Sequence, residues 1–195
     1  MSIVDHEGRL HFCRMDIALA EFPALLQRHH REDPDTKSIE EAATALAECG
    51  FSEERTAEFI RRVCRWGGYP GVAGRVLRNN KASLLSTRLA AACAAANSSD
   101  ICAGLSELLN IRGLAVSFAS KHLRFLAPNS APVLDSIISS RLGYPLSIPG
   151  YREFQSDCLA MLRFVKKAGV PYPGWGRDGW RVCDIEMAVF MKIRH

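Results

Sequence analysis

The chain has 195 residues, 48% of them hydrophobic and 24% charged, which supplies one full core and excludes global disorder. No apolar run approaches the roughly 18 residues that span a bilayer, and the opening MSIVDHEGRLHFCR lacks the apolar stretch of a secretion signal, so a cytoplasmic protein with no membrane contact is expected. The net charge of +4 is unevenly spread: acids concentrate in 32–58, whereas 61–81 carries Arg61, Arg62, Arg65, Arg75, Arg78 and Lys81 and no acid, a segment suited either to a polyanion or to plain solvation.

In chain order, "GRLHF" suits a short strand, and from there apolar residues recur at helical spacing almost to the end. The pattern predicts an all-α fold with helices over 15–30 (broken at Pro23), 38–48, 52–65, 70–79, 81–96, 99–109, 116–127, 132–142, 151–168 and 180–193. Ser52 and Asp100 stand where N-caps belong, and Gly50, Gly143 and Gly169 stand just past helix ends. "RLAAACAAA" predicts a helix pressed close to its neighbours, and "VPYPGWGRDG" (170–179) is a loop. The seven cysteines form no Cys-x-x-Cys pair and are odd in number, which reads as reduced core thiols and no metal site.

Two short stretches carry possible chemistry. Helices 99–109 and 116–127 are joined only by residues around "IRGLA" (111–115), a tight hairpin in which Gly113 can take a positive φ and the second helix presents unpaired N–H groups. Such a turn can hold phosphate oxygens, although a Gly turn between helices is often only a turn. Further on, Asp135 sits among Val133, Leu134, Ile137 and Ile138, where a carboxylate either caps a helix or does chemistry.

Together "IRGLA" and "PVLDS" resemble the helix-hairpin-helix superfamily of DNA glycosylases, and "GLAVSFASKHLRFLAP…PVLDS…LGY" resembles its bacterial 8-oxoguanine-glycosylase-like branch. "FIRRVCRWGGY", "YREFQSDC" and "WRVCDIEMAVF" also fit; the resemblance covers about 50–190 and is specific between 110 and 144. Two positions depart from the pattern. Arg112 stands where the hairpin usually has Pro, and Ala115 where it has a second Gly; the four-cysteine cluster of the iron–sulfur subgroup is absent.

The resemblance implies one compact domain over 1–195, of two helical lobes with a DNA-binding cleft between them, the hairpin in about 99–127 and the catalytic acid segment in 128–144. Asp135 would be the catalytic acid, with Arg112, Gly113, Leu114, Ala115, Ser117, Arg75 and Arg78 on the DNA backbone. Trp66, Tyr69, Trp175 and Trp180 are candidates to stack or wedge, or else core residues. Members that also cut the strand carry a lysine where this chain has Ser117; Lys121, one turn on, is a candidate nucleophile, phosphate contact or partner for Asp135. Water attack that leaves an abasic site is therefore expected, by a monomer acting on double-stranded DNA with a modified base, without cofactor.

Compact bacterial proteins of this type include an anti-phage glycosylase that removes α-glucosylated hydroxymethylcytosine from phage DNA, and the minimal lobes and "SFASKHLRFLAP" bring this chain nearer to that kind than to longer repair enzymes. Repair of 8-oxoguanine, a non-catalytic DNA-binding hairpin module and a structural helical protein are the alternatives.

Overall fold

A computed structural model describes residues 3–4, 9–98, 100–174 and 179–194. Among them the chain is all-α apart from a small N-terminal sheet: α1 (Phe22–Glu32), α2 (Asp35–Glu48), α3 (Glu53–Trp66), α4 (Gly71–Asn79), α5 (Ala82–Asn97), α6 (Ile101–Leu109), α7 (Val116–Leu126), α8 (Ser136–Leu142), α9 (Ile148–Lys167) and α10 (Val182–Ile193).

The sheet is an antiparallel meander of β1 (Ile3–Val4), β2 (Arg9–Phe12) and β3 (Met15–Ala18). Phe12 pairs with Met15 across a two-residue turn in which Cys13 and Arg14 both have positive φ, 48° and 61°. Neither residue favours that conformation, so something must hold it. Arg14 does so, donating to the carbonyls of Leu142 at 3.2 Å and Gly143 at 2.9 Å and to Glu153 at 3.1 Å.

Two expected boundaries move. Residues 15–18 pair with β2 instead of starting a helix, and α1 begins at Phe22, so Pro23 lies in its first turn, where the missing N–H costs nothing. Residues 131–135 have no regular secondary structure, and α8 begins only at Ser136. Pro132 disfavours a helix through residue 131, and Asp135 acts as the cap.

A buried cluster runs from Phe12 to Val189. Within it α5 and α6 lie so close that a Cβ on Gly104 would come within 2.9 Å of the Ala92 carbonyl oxygen, which is why α5 carries Ala92 and Ala96 on its buried face. Helix α7 packs against α2, α3, α5 and α6, and every residue from Ala119 to Leu126 is buried, including Ser120, Lys121, His122 and Arg124. Helix α10 is buried from Val182 to Val189 and packs on α1 and α9.

A helix buried on all sides tolerates polar side chains only where they find partners. Arg124 is fully buried, pairs with Glu40 of α2 at 2.9 Å and lies 4.3 Å from the Phe125 ring centroid. Glu40 also takes Arg181 at 2.9 Å, and Arg181 takes Asp184 at 3.1 Å. Burial lowers the His122 pKa to about 4, so it is neutral; its Nδ1 lies 2.6 Å from the Phe118 carbonyl oxygen and donates to it. No helix among the described residues is long and apolar enough to cross a membrane.

Because Glu40 is shared by two buried guanidinium groups, Glu40→Ala leaves Arg124 without its counter-charge. It should cost about 3–5 kcal/mol in urea unfolding. A loss under about 1 kcal/mol would show that the network does not tie α2 to α7.

Candidate active site at Lys121 and Asp135

The segment after α7 has no regular structure, yet several of its backbone groups have defined partners. The Ser130 and Ala131 N–H groups donate to the Ala127 carbonyl at 3.1 and 2.9 Å, and the Pro128 carbonyl accepts from the Cys183 N–H of α10 at 3.2 Å. Leu134 N–H donates to the buried Ser120 hydroxyl oxygen at 3.1 Å, which lies 3.2 Å from the Leu134 carbonyl oxygen. Ser120 thus stands in for a missing strand neighbour. The next residue but one is the first of α8.

Asp135 divides its two oxygens between two tasks. Oδ1 accepts the Ile137 and Ile138 N–H groups at 3.0 and 3.1 Å, capping α8. Oδ2 meets Lys121 Nζ at 3.0 Å. The side chains are only 12% and 8% exposed, so this is a buried ion pair at the protein's edge. Cap and charged site are therefore one carboxylate, its rotamer fixed by the cap while the second oxygen projects toward the lysine.

Lys121 is held from several directions. Its ammonium also reaches the Ser117 hydroxyl at 3.4 Å, one turn back on α7, and lies 5.3 Å from the Phe118 ring centroid. Its stem runs over Gly67, where a Cβ would stand 3.0 Å from Cδ and 3.2 Å from Cε, and 2.9 Å from Phe118 Cε1. Gly67 is the passage through which the lysine reaches the acid. Tyr69, two residues on, is 69% exposed and packs edge-on against Phe118 with centroids 6.3 Å apart. One phenyl ring thus links the charged pair to the most exposed aromatic among the large apolar side chains.

The hairpin is built as a separate, braced unit. Gly113 has φ of 99°, a conformation that resists a side chain, and a Cβ there would also come within 3.3 Å of Val76 and 3.4 Å of Arg75. Asn80, just past α4, clamps the turn: its Oδ1 accepts the Arg112 N–H at 3.1 Å, and its Nδ2 donates to the Arg112 carbonyl at 2.9 Å and to Val76 at 2.8 Å. This leaves the Arg112, Arg75 and Arg78 side chains exposed on the adjoining ends of the hairpin and α4. Ala115, the N-cap of α7, gives no side-chain acceptor to the first-turn N–H groups. Leu114 turns its side chain into the core, so only its backbone faces this surface.

Of the sequence candidates, Lys121, Asp135, Ser117 and Tyr69 come together, as do Arg112, Gly113 and Arg75 at the turn. The remaining aromatic candidates separate from them. Trp180 is 4% exposed, donates its indole N–H to the Val170 carbonyl at 3.0 Å and stacks edge-on with Phe22 and Tyr172. Trp66 donates to Thr36 Oγ1 at 3.0 Å and packs edge-on against Phe125. Both serve packing. Trp175 lies outside the described residues. The hollows between α2 and α3, with Ser38, Arg62 and Trp66 in their walls, are lined by neither Lys121 nor Asp135, so charge and close packing define the site. Sequence reasoning missed Gly67, Phe118 and Ser120; the only available signal was the "WGGY" turn, which reads as a helix end.

Asp135→Asn keeps an oxygen for the cap but leaves a buried ammonium unbalanced. It should lose about 3 kcal/mol of stability, and Lys121→Met in the same chain should restore most of it. Equal stability of Asp135→Asn and the parent protein would mean that the pair is not coupled.

No protein-family model, no curated protein and no solved structure matches this chain, so its functional reading stands on these residues and their geometry.

Proposed function

We propose that the protein is a DNA glycosylase of the helix-hairpin-helix type that draws a modified base out of the duplex and hydrolyses its N-glycosidic bond. The supporting observation is the buried Lys121–Asp135 pair, placed one helix beyond a braced glycine hairpin. A stabilising role alone is a poor reason for it, because an apolar pair of like volume would often be no less stable.

The chemistry follows from the carboxylate. As the bond between C1′ and the base nitrogen breaks, its electron pair leaves with the base and C1′ becomes cationic. A fixed carboxylate beside that carbon stabilises the charge without reorganising. Asp135 is fixed in this sense by its two cap bonds. Water then adds to C1′ and gives its proton to the carboxylate, leaving an abasic site. Lys121 holds Oδ2 and balances the resting charge. A DNA cleft between two lobes places the hairpin, Arg112, Arg75 and Arg78 on the phosphates, with Tyr69 free to stack where the base leaves. A monomer and double-stranded DNA suffice.

The substrate is a modified base, and α-glucosylated hydroxymethylcytosine of phage DNA is the first candidate; removal of 8-oxoguanine in repair is the second. Mass spectrometry of bases released from normal, oxidised and glucosylated DNA decides between them. Asp135→Asn, assayed below its unfolding temperature, should lose about 10²–10³ in excision rate while still retaining DNA. DNA retention with no base released by the parent protein would reduce it to a binding module, and loss of both would leave a structural protein.

Because Lys121 Nζ shares the site, attack by its amine on C1′ to form a Schiff base is a specific second reading. Borohydride during turnover should trap no covalent adduct; an adduct that vanishes in Lys121→Ala would replace water with the lysine.

DNA affinity should fall steeply with salt. Arg112→Ala should lower the log–log slope by about one unit, the value for one phosphate contact. An unchanged slope would put Arg112 off the DNA.

A further inference from the structure

Behind the Asp135 segment lies a buried acid that is only partly paired. Glu186, in the middle of α10, is 4% exposed, and its Oε2 has no hydrogen-bond partner among the described residues. Its carboxylate accepts the Val133 N–H. The neighbouring N–H, that of Leu134, goes to Ser120. The two peptide groups that lead into Asp135 are therefore held by one side chain from α7 and one from α10, and by no ladder of their own. Helix α10 follows this segment along its length, holding Pro128 through the Cys183 N–H and packing on α8.

We propose that Glu186 is a positioning residue for Asp135: it fixes the backbone that carries the carboxylate, and its proton sets the charge of the pocket around the Lys121–Asp135 pair. The assignment rests on Asp135 being the reacting carboxylate of the proposed glycosylase. The groups facing Glu186 are Arg124 and Lys121 from α7, Asp135 from the segment before α8, and Tyr151 and Cys158 from α9. Arg124 pairs with Glu40 through Nη2, its Nε and Nη1 having no hydrogen-bond partner among the described residues, and Lys121 pairs with Asp135. A second carboxylate charge here would share these two cations with Glu40 and Asp135.

Burial raises the Glu186 carboxyl from 4.5 to about 8, with Asp135 adding to the rise and Arg124, the Val133 N–H and Lys121 opposing it. Near neutrality the acid keeps its proton, and the pocket holds one negative charge. Above about pH 8 it would hold two, which compete for Lys121 and repel each other. The unfolded chain loses this proton near 4.5 and the folded chain near 8, so the unfolded state binds fewer protons between those values and stability falls as pH rises through that window.

The test reads Asp135 directly. In the full-length protein labelled with ¹³C at Asp and Glu carboxyls, the Asp135 resonance should shift in a step centred near pH 8, where Glu186 ionises, and Glu186→Gln should abolish that step. The excision rate of the parent protein should fall through the same range, and Glu186→Gln should lack that alkaline limb. A parent Asp135 resonance with no step near 8, or a step that persists in Glu186→Gln, would overturn the assignment; the parent titration decides even if the variant fails to fold. A step lost in Glu186→Gln, in a protein that releases no base from any DNA, would keep the coupling and defeat the glycosylase reading instead.

Discussion

Helix α7 passes through the interior with four polar side chains in succession or near it, and the rest of the molecule is arranged to receive them. Arg124 draws Glu40 from α2 and, through Glu40, Arg181 at the N-cap of α10. Ser120 draws the irregular segment before α8, and Lys121 draws Asp135. Each attraction is directional, because an unpaired group at these depths would forfeit its hydration without return. These contacts fix register, and they fix it around the residue at which the charge is kept.

The helical architecture was legible in the sequence because ten apolar stripes of period 3.6 depend only on local spacing. Of the N-terminal sheet, β2 was legible in "GRLHF" but β3 was not: the helical spacing of 15–18 gives way because the turn at Cys13 and Arg14 is strapped to Gly143, a non-local fact. The late start of α8 was legible in part, since Pro132 and Asp135 both mark a boundary, yet the periodicity of "VLDSII" runs straight through it. At the site, Asp135 stood out as an acid among apolar residues, and Lys121 as a lysine one helical turn after Ser117. Gly67 could not be found that way. Its role is an absence of atoms beside a lysine stem, which only the three-dimensional approach of the α3 terminus to α7 creates.

The same geometry relates the hairpin to the charged pair. Lys121 lies five residues after Val116 on α7, and its ammonium leans back toward the first turn to meet the Ser117 hydroxyl at 3.4 Å. The brace at Asn80 holds the turn from which that helix starts. Tyr69 stands on the same side, on the ring of Phe118 that contacts the lysine.

Two opposite charges and a third carboxyl in a nearly dry pocket often stabilise a fold no more than apolar residues of the same volume. They gather beside residues 131–135, where the Val133 and Leu134 N–H groups depend on Glu186 and Ser120. A structural cap would not require this arrangement: Asp100 caps α6 at the surface through the Ala103 N–H, with no buried cation paired to it among the described residues. Both aspartates are N-caps, but Asp135 is buried, accepts two N–H groups and has a lysine facing its second carboxylate oxygen. At Asp135 that oxygen is turned away from solvent and toward an ammonium, and the surrounding backbone is secured by side chains that must themselves be buried to do it. The difference between the two caps is thus what a buried charged pair adds to a helix start.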